Sequence, residues 1–257
     1  MLRKAPPSIR PQLQRRLLWW AAGLAALGCT QCGPGNQGRT PAADHYISYQ
    51  VNPRRQALRL YWQDEQGRPF RSVQRLREWA TAHQQRLVFA TNGGMYKAGN
   101  VPLGLLLEQG VVRTPLDTTQ GVGNFYLKPN GVFYLTAEGK AGIVPTAAFP
   151  HVRRVRYATQ SGPLLVLNGQ IHPAFRANST NLHIRNGVGI LPDGTVLFAM
   201  SREKVRFYDM AAYFREQGCQ TALYLDGFVS RTYLPEKQWV QTDGDFGVII
   251  GVTEPAR

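Results

Sequence analysis

Short apolar runs separated by turns rich in glycine and asparagine fill the chain from Ala57 onwards, and they set the strongest limit on its fold. Segments 57–62, 87–91, 103–108, 125–127 and 132–135 are too short for buried helices and rich in β-branched or aromatic residues, which predicts strands. Segments 164–167, 187–190, 196–200, 222–225 and 246–251 read the same way. Asn130-Gly131, Asn168-Gly169 and Asp193-Gly194 tolerate positive φ and predict tight links between antiparallel neighbours.

Two segments have helical period instead. Ser72 can cap a helix whose Val73, Leu76, Trp79 and Ala80 share a face; Phe207, Met210, Ala211 and Phe214 do the same before a stop at Gly218. Each runs on into an apolar strand. The expected architecture is α+β: one domain over 46–257, with a large mixed, mainly antiparallel sheet and a few packed helices.

The N-terminus has a different character. Arg3, Lys4, Arg10, Arg15 and Arg16 precede an uncharged apolar run over 17–27. That run falls short of the roughly 20 apolar residues that cross a bilayer, and suits the core of a signal peptide over 1–28. Cys29, directly after Ala26-Leu27-Gly28, resembles the lipidated cysteine of a bacterial lipobox, although Ala26 stands where a larger aliphatic residue is usual. Lipidation there would attach the chain to a membrane; ordinary cleavage nearby would leave Cys29 and Cys32 as plain thiols. Their C-x-x-C spacing has no second pair to complete a metal site. Residues 29–45, made largely of Gly, Pro, Gln, Asn and Thr, read as a flexible tether. The expected location is export, either periplasmic or as a membrane-anchored lipoprotein.

Charge narrows the partners. Loss of residues 1–28 removes five cations and no anion, so the formal net charge of +14 becomes +9. A basic exported protein suits an anionic glycan or a phosphorylated carbohydrate, and a solvated positive surface is the plainer alternative. Nucleic acid is disfavoured by the export signal and by cations scattered along the chain. Three cysteines are too few for a disulfide scaffold.

Asp226 is the most informative carboxylate, because it closes the apolar strand 222–225 and precedes Gly227. A charge there loses solvation and needs partners or a raised pKa; a turn-capping Asp is the structural alternative. Asn92-Gly93-Gly94-Met95-Tyr96 follows another apolar strand, and its glycines let the backbone approach a ligand and present N–H groups to an anion. Ser161 and Gly162, in Gln160-Ser161-Gly162-Pro163, form a similar and equally unspecific turn. Arg185 lies in a polar segment ahead of the strand 187–190, and its planar fork can clamp two phosphate oxygens unless it simply pairs with a surface carboxylate. His183 accompanies it. His172 reads as a loop or packing residue, Glu108 as a solvated reserve carboxylate at a hairpin end, and Cys219 as a buried helix-end thiol. The sequence contains no nucleophile elbow, no zinc-type histidine cluster, no phosphate loop and no metal-ligand set, and points to no particular cofactor or oligomeric state.

Taken in order, these segments resemble the phosphodiester glycosidase family. The resemblance rests on Asn92-Gly93-Gly94-Met95-Tyr96, Pro102-Leu103-Gly104-Leu105, Asn124-Phe125-Tyr126 with Pro129-Asn130-Gly131, Gln160-Ser161-Gly162-Pro163, Arg185 with Gly187-Val188-Gly189, and Asp226-Gly227 with Ser230. It departs at Phe228-Val229, where many members resemble Asp-Gly-Gly, and looks like a bacterial subgroup linked to exopolysaccharide; a bulky Phe228 would narrow or reshape the pocket. The resemblance implies hydrolysis of the glycosidic C–O bond of a sugar 1-phosphodiester of the N-acetylglucosamine-1-phosphate type. Asp226 would be general base or oxocarbenium stabiliser, Arg185 would hold the phosphate, and His183 would carry a proton. Asn92, Gly93, Gly94, Ser161 and Gly162 would contact phosphate or hydroxyls, and Ser230 and Arg231 would complete the wall. A phosphate leaving group is already a stable anion, so the usual second carboxylate of a glycosidase matters less. The alternatives are a non-catalytic binding or assembly protein for an anionic exopolysaccharide, and a phosphodiesterase that cleaves P–O and would call for metal ligands.

Overall fold

The computed structural model describes residues 44–256. The expected signal peptide, Cys29, Cys32 and the tether up to residue 43 lie outside the described residues.

The strands in chain order are β1 (Tyr46–Val51), β2 (Ala57–Tyr61), β3 (Gln85–Asn92), β4 (Tyr96–Lys97), β5 (Val101–Pro102) and β6 (Leu106–Glu108). They continue as β7 (Val111–Thr114), β8 (Gly131–Thr136), β9 (Ala141–Pro145), β10 (Val155–Ser161), β11 (Leu164–Leu167) and β12 (Gln170–Ile171). The last six are β13 (Asn186–Ile190), β14 (Val196–Ser201), β15 (Thr221–Tyr224), β16 (Thr232–Leu234), β17 (Trp239–Val240) and β18 (Ile249–Pro255). Two helices, α1 (Val73–Ala82) and α2 (Phe207–Glu216), complete the α+β fold.

The strands divide among three main sheets rather than one. Their orders are β1-β14-β13-β15-β11-β12, β7-β6-β10-β8-β9 and β17-β16-β3-β18-β2, with β4 and β5 forming a separate ribbon. Every pairing among the described strands is antiparallel. The inner faces of all three sheets meet in one core that includes Val51, Leu60, Phe89, Phe133, Phe198, Leu223 and Ile250.

Alternation along the strands explains their continuous apolar sequences, since successive side chains leave a strand on opposite faces. Val196, Phe198 and Met200 of β14 enter the central core, while Leu197 and Ala199 face α2 on the outside. β18 does likewise, sending Ile250 and Val252 inward and Ile249 toward α1. Ser72 caps α1 by accepting from the Arg75 amide at 3.3 Å, and Val73, Leu76 and Ala80 are buried. In α2, Met210, Ala211 and Phe214 are buried, and Gly218 ends the segment at φ 90°. At Gly189, α2 and the turn after it approach β13 so closely that a Cβ would come within 2.6 Å of Cys219 Sγ and 2.8 Å of the Phe214 ring.

Several local expectations give way to packing. Residues 125–127 are not a strand: Asn124–Tyr126 is a 3₁₀ turn that buries the Phe125 ring, and β6 begins only at Leu106. Asn168-Gly169 and Asp193-Gly194 do link β11 to β12 and β13 to β14. Asn130-Gly131 makes no hairpin, because Asn130 is buried, donating from Nδ2 to the Phe125 carbonyl and accepting from the Thr146 hydroxyl, while Gly131 starts β8.

Candidate active site

The ends of strands from all three sheets meet around Asp226. β15 runs between β13 and β11, and its exit is pinned on both flanks: the Tyr224 amide donates to the Pro163 carbonyl at 3.1 Å and the Leu225 amide to the Asn186 carbonyl at 3.2 Å. The Asp226 amide then donates to Asn186 Oδ1 at 3.0 Å. Ser161, closing β10, donates its hydroxyl to the Leu225 carbonyl at 2.7 Å, and Ser230 donates to the Asp226 carbonyl at the same distance.

Asn186 ties this strand end to β3. Its Nδ2 donates to Asn92 Oδ1 at 2.9 Å, to the Asn92 carbonyl at 3.0 Å and to Thr91 Oγ1 at 3.1 Å. Asn92 Oδ1 also accepts from the Arg231 amide at 3.0 Å. Two donors on one oxygen fix the orientation of the Asn92 amide, and its Nδ2 is then a buried donor with no hydrogen-bond partner among the described residues. Such orphaned donors are uncommon in folded proteins and costly.

Asp226 is buried, and loss of water raises its pKa to about 6, against the opposing pull of the Phe228 and Gly227 amides. The Phe228 amide donates to Asp226 Oδ1 at 3.0 Å. Gly227 has no room for a side chain, since a Cβ would overlap the Tyr224 hydroxyl. Burial raises the pKa of both Tyr96 and Tyr224, and the Asp226 charge adds to the rise in each.

The sequence gathers Asn92, Ser161, Asp226, Ser230 and Arg231 into this one network. Gly93 and Gly94 lie beside it, where Thr159 of β10 donates its hydroxyl to the Gly93 carbonyl at 3.1 Å. Gly162 faces elsewhere, toward the Phe125 carbonyl and Asn130.

The two expected guanidinium groups do not face Asp226. Arg185 is fully buried, with Nε donating to the Val205 carbonyl at 2.9 Å and Nη2 to Asn181 Oδ1 at 2.6 Å. Its plane sits 3.6 Å from the Phe207 ring centroid, and its nearest approach to the strand end is Nη1 to the Tyr224 hydroxyl at 3.5 Å. Arg231 turns outward to an ion pair with Asp243 at 2.8 Å. Among the described residues, no ion pair includes Asp226.

His183 is exposed, and lines a cleft of about 440 Å³ together with Gly227, Phe228, Ser230 and Arg231. Phe228 fills no pocket, for its ring is 94% exposed at the lip of that cleft. Glu108 corrects the expectation of a solvated carboxylate: it is buried, accepts from the Trp62 amide at 2.9 Å, and lies 3.3 Å from Arg113. Burial raises its pKa, and neither it nor Asp226 registers the other's charge. His172 packs on Phe175, with Nε2 at 2.9 Å from the Lys128 carbonyl, and the buried Cys219 thiol is pushed up to about 12. Among the described residues, no group of three or more His, Cys, Asp or Glu side chains could hold a metal ion.

Sequence reasoning missed Asn186, Thr91 and Tyr224, which hold the network together. The available signal was Asn186 itself, a polar side chain at the first position of an otherwise apolar strand.

Comparison with known proteins gives this network a context. The chain is 37% identical over 196 residues to "Uncharacterized protein YigE" of Escherichia coli (strain K12), covering 73% of each chain. Its fold is similar to the catalytic domain of zebrafish N-acetylglucosamine-1-phosphodiester alpha-N-acetylglucosaminidase, auto-inhibited by its pro-peptide, with TM-score 0.57 and 13% identity over 82% of this chain and 84% of that one. A hypothetical protein from Synechocystis is similar at TM-score 0.54 and 14% identity, over 81% of this chain and 59% of that one. The phosphodiester glycosidase family model matches residues 85–250, a span that holds Asn92, Ser161, Asn186, Asp226 and Arg231 alike, and the chain therefore belongs to the phosphodiester glycosidase family.

Proposed function

We propose that the chain is a hydrolase that cleaves the glycosidic C–O bond of a sugar 1-phosphodiester, of the N-acetylglucosamine-1-phosphate type, in envelope or extracellular glycans reached by export. The observation that carries this reading is Asp226: one buried carboxyl with a pKa near 6, clamped at its backbone by Asn186 and Ser230. A carboxylate so tuned is ionised at neutral pH yet basic enough to accept a proton.

Water attacks the anomeric carbon while the bond from that carbon to the phosphate oxygen breaks. The water proton passes to Asp226, and the bonding electron pair leaves with the phosphate monoester, which needs no acid to stabilise it. The carboxylate also offsets positive charge developing on the sugar. Asn92 Nδ2, with no partner of its own, supplies a donor toward the substrate, as does the Gly94 amide, whereas the Gly93 amide is committed to the Val248 carbonyl at 2.7 Å. Arg185 acts as a positioning residue behind Tyr224, and Arg231 and His183 form the wall that meets the phosphate.

Hydrolysis of an aryl phosphodiester of N-acetylglucosamine in oxygen-18 water tests the reading. Label on the sugar supports it. Label on the phosphate would assign P–O cleavage instead, and absence of turnover would favour a non-catalytic binding protein.

A further inference from the structure

The cleft beyond Gly227 and Phe228 holds two cations, Arg202 and Lys204, that C–O cleavage at Asp226 does not use. Its lining contains His183, Arg202, Lys204 and Arg231 and no carboxylate. Arg231 is matched by Asp243 and Glu203 turns to His45, but among the described residues neither Arg202 nor Lys204 has an acidic partner. Arg202 is instead held over the Trp239 ring, 4.9 Å from its centroid, which orders the guanidinium without neutralising it. At the lip of the cleft the Phe228 ring is almost wholly exposed, which leaves an apolar face open to an occupant. The volume, about 440 Å³, lies within the range of small-molecule sites.

Uncompensated cations beside an exposed aromatic ring match an occupant with apolar C–H faces and negative charge. A charged sugar has both: its ring face packs on an aromatic surface, and its acid group meets a guanidinium or ammonium. We infer that this cleft is a glycan subsite beside the Asp226 centre, which takes a sugar unit bearing a carboxylate or phosphate. Phe228 stacks on its ring, and Arg202 and Lys204 bind its charge. The inference rests on the proposed reaction only in making the bound unit part of the same substrate; binding itself does not depend on turnover.

Calorimetric titration of full-length Asp226→Asn protein with trigalacturonate, neutral maltotriose and inorganic phosphate tests it. Trigalacturonate should bind most tightly, and less tightly as salt rises. Adding Arg202→Ala and Lys204→Ala should weaken trigalacturonate at least fivefold and leave maltotriose unchanged, while Phe228→Ala should weaken both sugars. These three side chains are exposed, so folding is retained. Equal trigalacturonate affinity in all variants would overturn the subsite, as would phosphate binding as tightly as trigalacturonate, the mark of a bare anion site. The two readings fail separately: sugar labelling with no effect of the cleft variants removes only the subsite, and cleft-dependent binding with no hydrolysis by the unmutated chain removes only the reaction.

Discussion

Asn186 holds the main chain of Asp226 through a 3.0 Å hydrogen bond from the Asp226 amide to its Oδ1, while its Nδ2 grips Asn92 on a different sheet. The carboxyl is thereby positioned by an amide side chain rather than by an opposing cation, and its pKa is set by burial rather than by charge.

Asn186→Ala removes the partner of the Asp226 amide and frees Asn92 Oδ1 and Thr91 Oγ1 from their shared donor. Unpaired buried groups cost about 1–3 kcal/mol each, and part of the network remains, so a loss of about 2–4 kcal/mol is expected. Denaturant unfolding measures it, and turnover should fall along with it.

Asp226→Asn should stabilise the protein at neutral pH. The folded pKa near 6 lies above the ordinary value of 3.8, so the folded state binds the proton more tightly, and stability is lost as pH rises from about 4 through 6. About two units correspond to about 3 kcal/mol, to order of magnitude. Thermal melts of both proteins should differ at pH 7.5, with the variant higher, and converge near pH 4.

The same ionisation should govern the rate. With Asp226 as base, kcat/KM rises with pH through a single step near 6 and levels off above it. A rate that falls through that range would make the protonated form the active one.

Arg185→Lys loses the stack on Phe207 and the short bond to Asn181, and should lower the melting temperature. The step near pH 6 should stay where it is, because Asp226 does not register the Arg185 charge. A shift of a unit or more would show that the guanidinium faces the carboxyl after all.

Period and turn chemistry made the helices and nine of the eighteen described strands legible, because apolar side chains on both strand faces leave long uncharged runs. β1 and β10 were less visible, since polar residues such as Ser48, Gln50 and Thr159 interrupt the pattern, and β9 because its short run carries Gly142 and ends on Pro145, both poor strand formers. Residues 125–127 deceived for the opposite reason: a buried ring can be set by a turn as well as by a strand. At the site, the position of Asp226 at the end of an apolar strand, just before Gly227, could be read locally. The destination of Arg185 could not, because a fork that fits phosphate fits an aromatic face and two carbonyls equally well.

Asp226 carries the chemistry in this account, and single-turnover hydrolysis of an N-acetylglucosamine aryl phosphodiester by the unmutated chain and by Asp226→Asn tests that most directly. Loss of the base should slow the chemical step by about 10²–10⁴-fold while the variant remains folded and at least as stable at pH 7.5. Turnover within tenfold of the unmutated chain would contradict it.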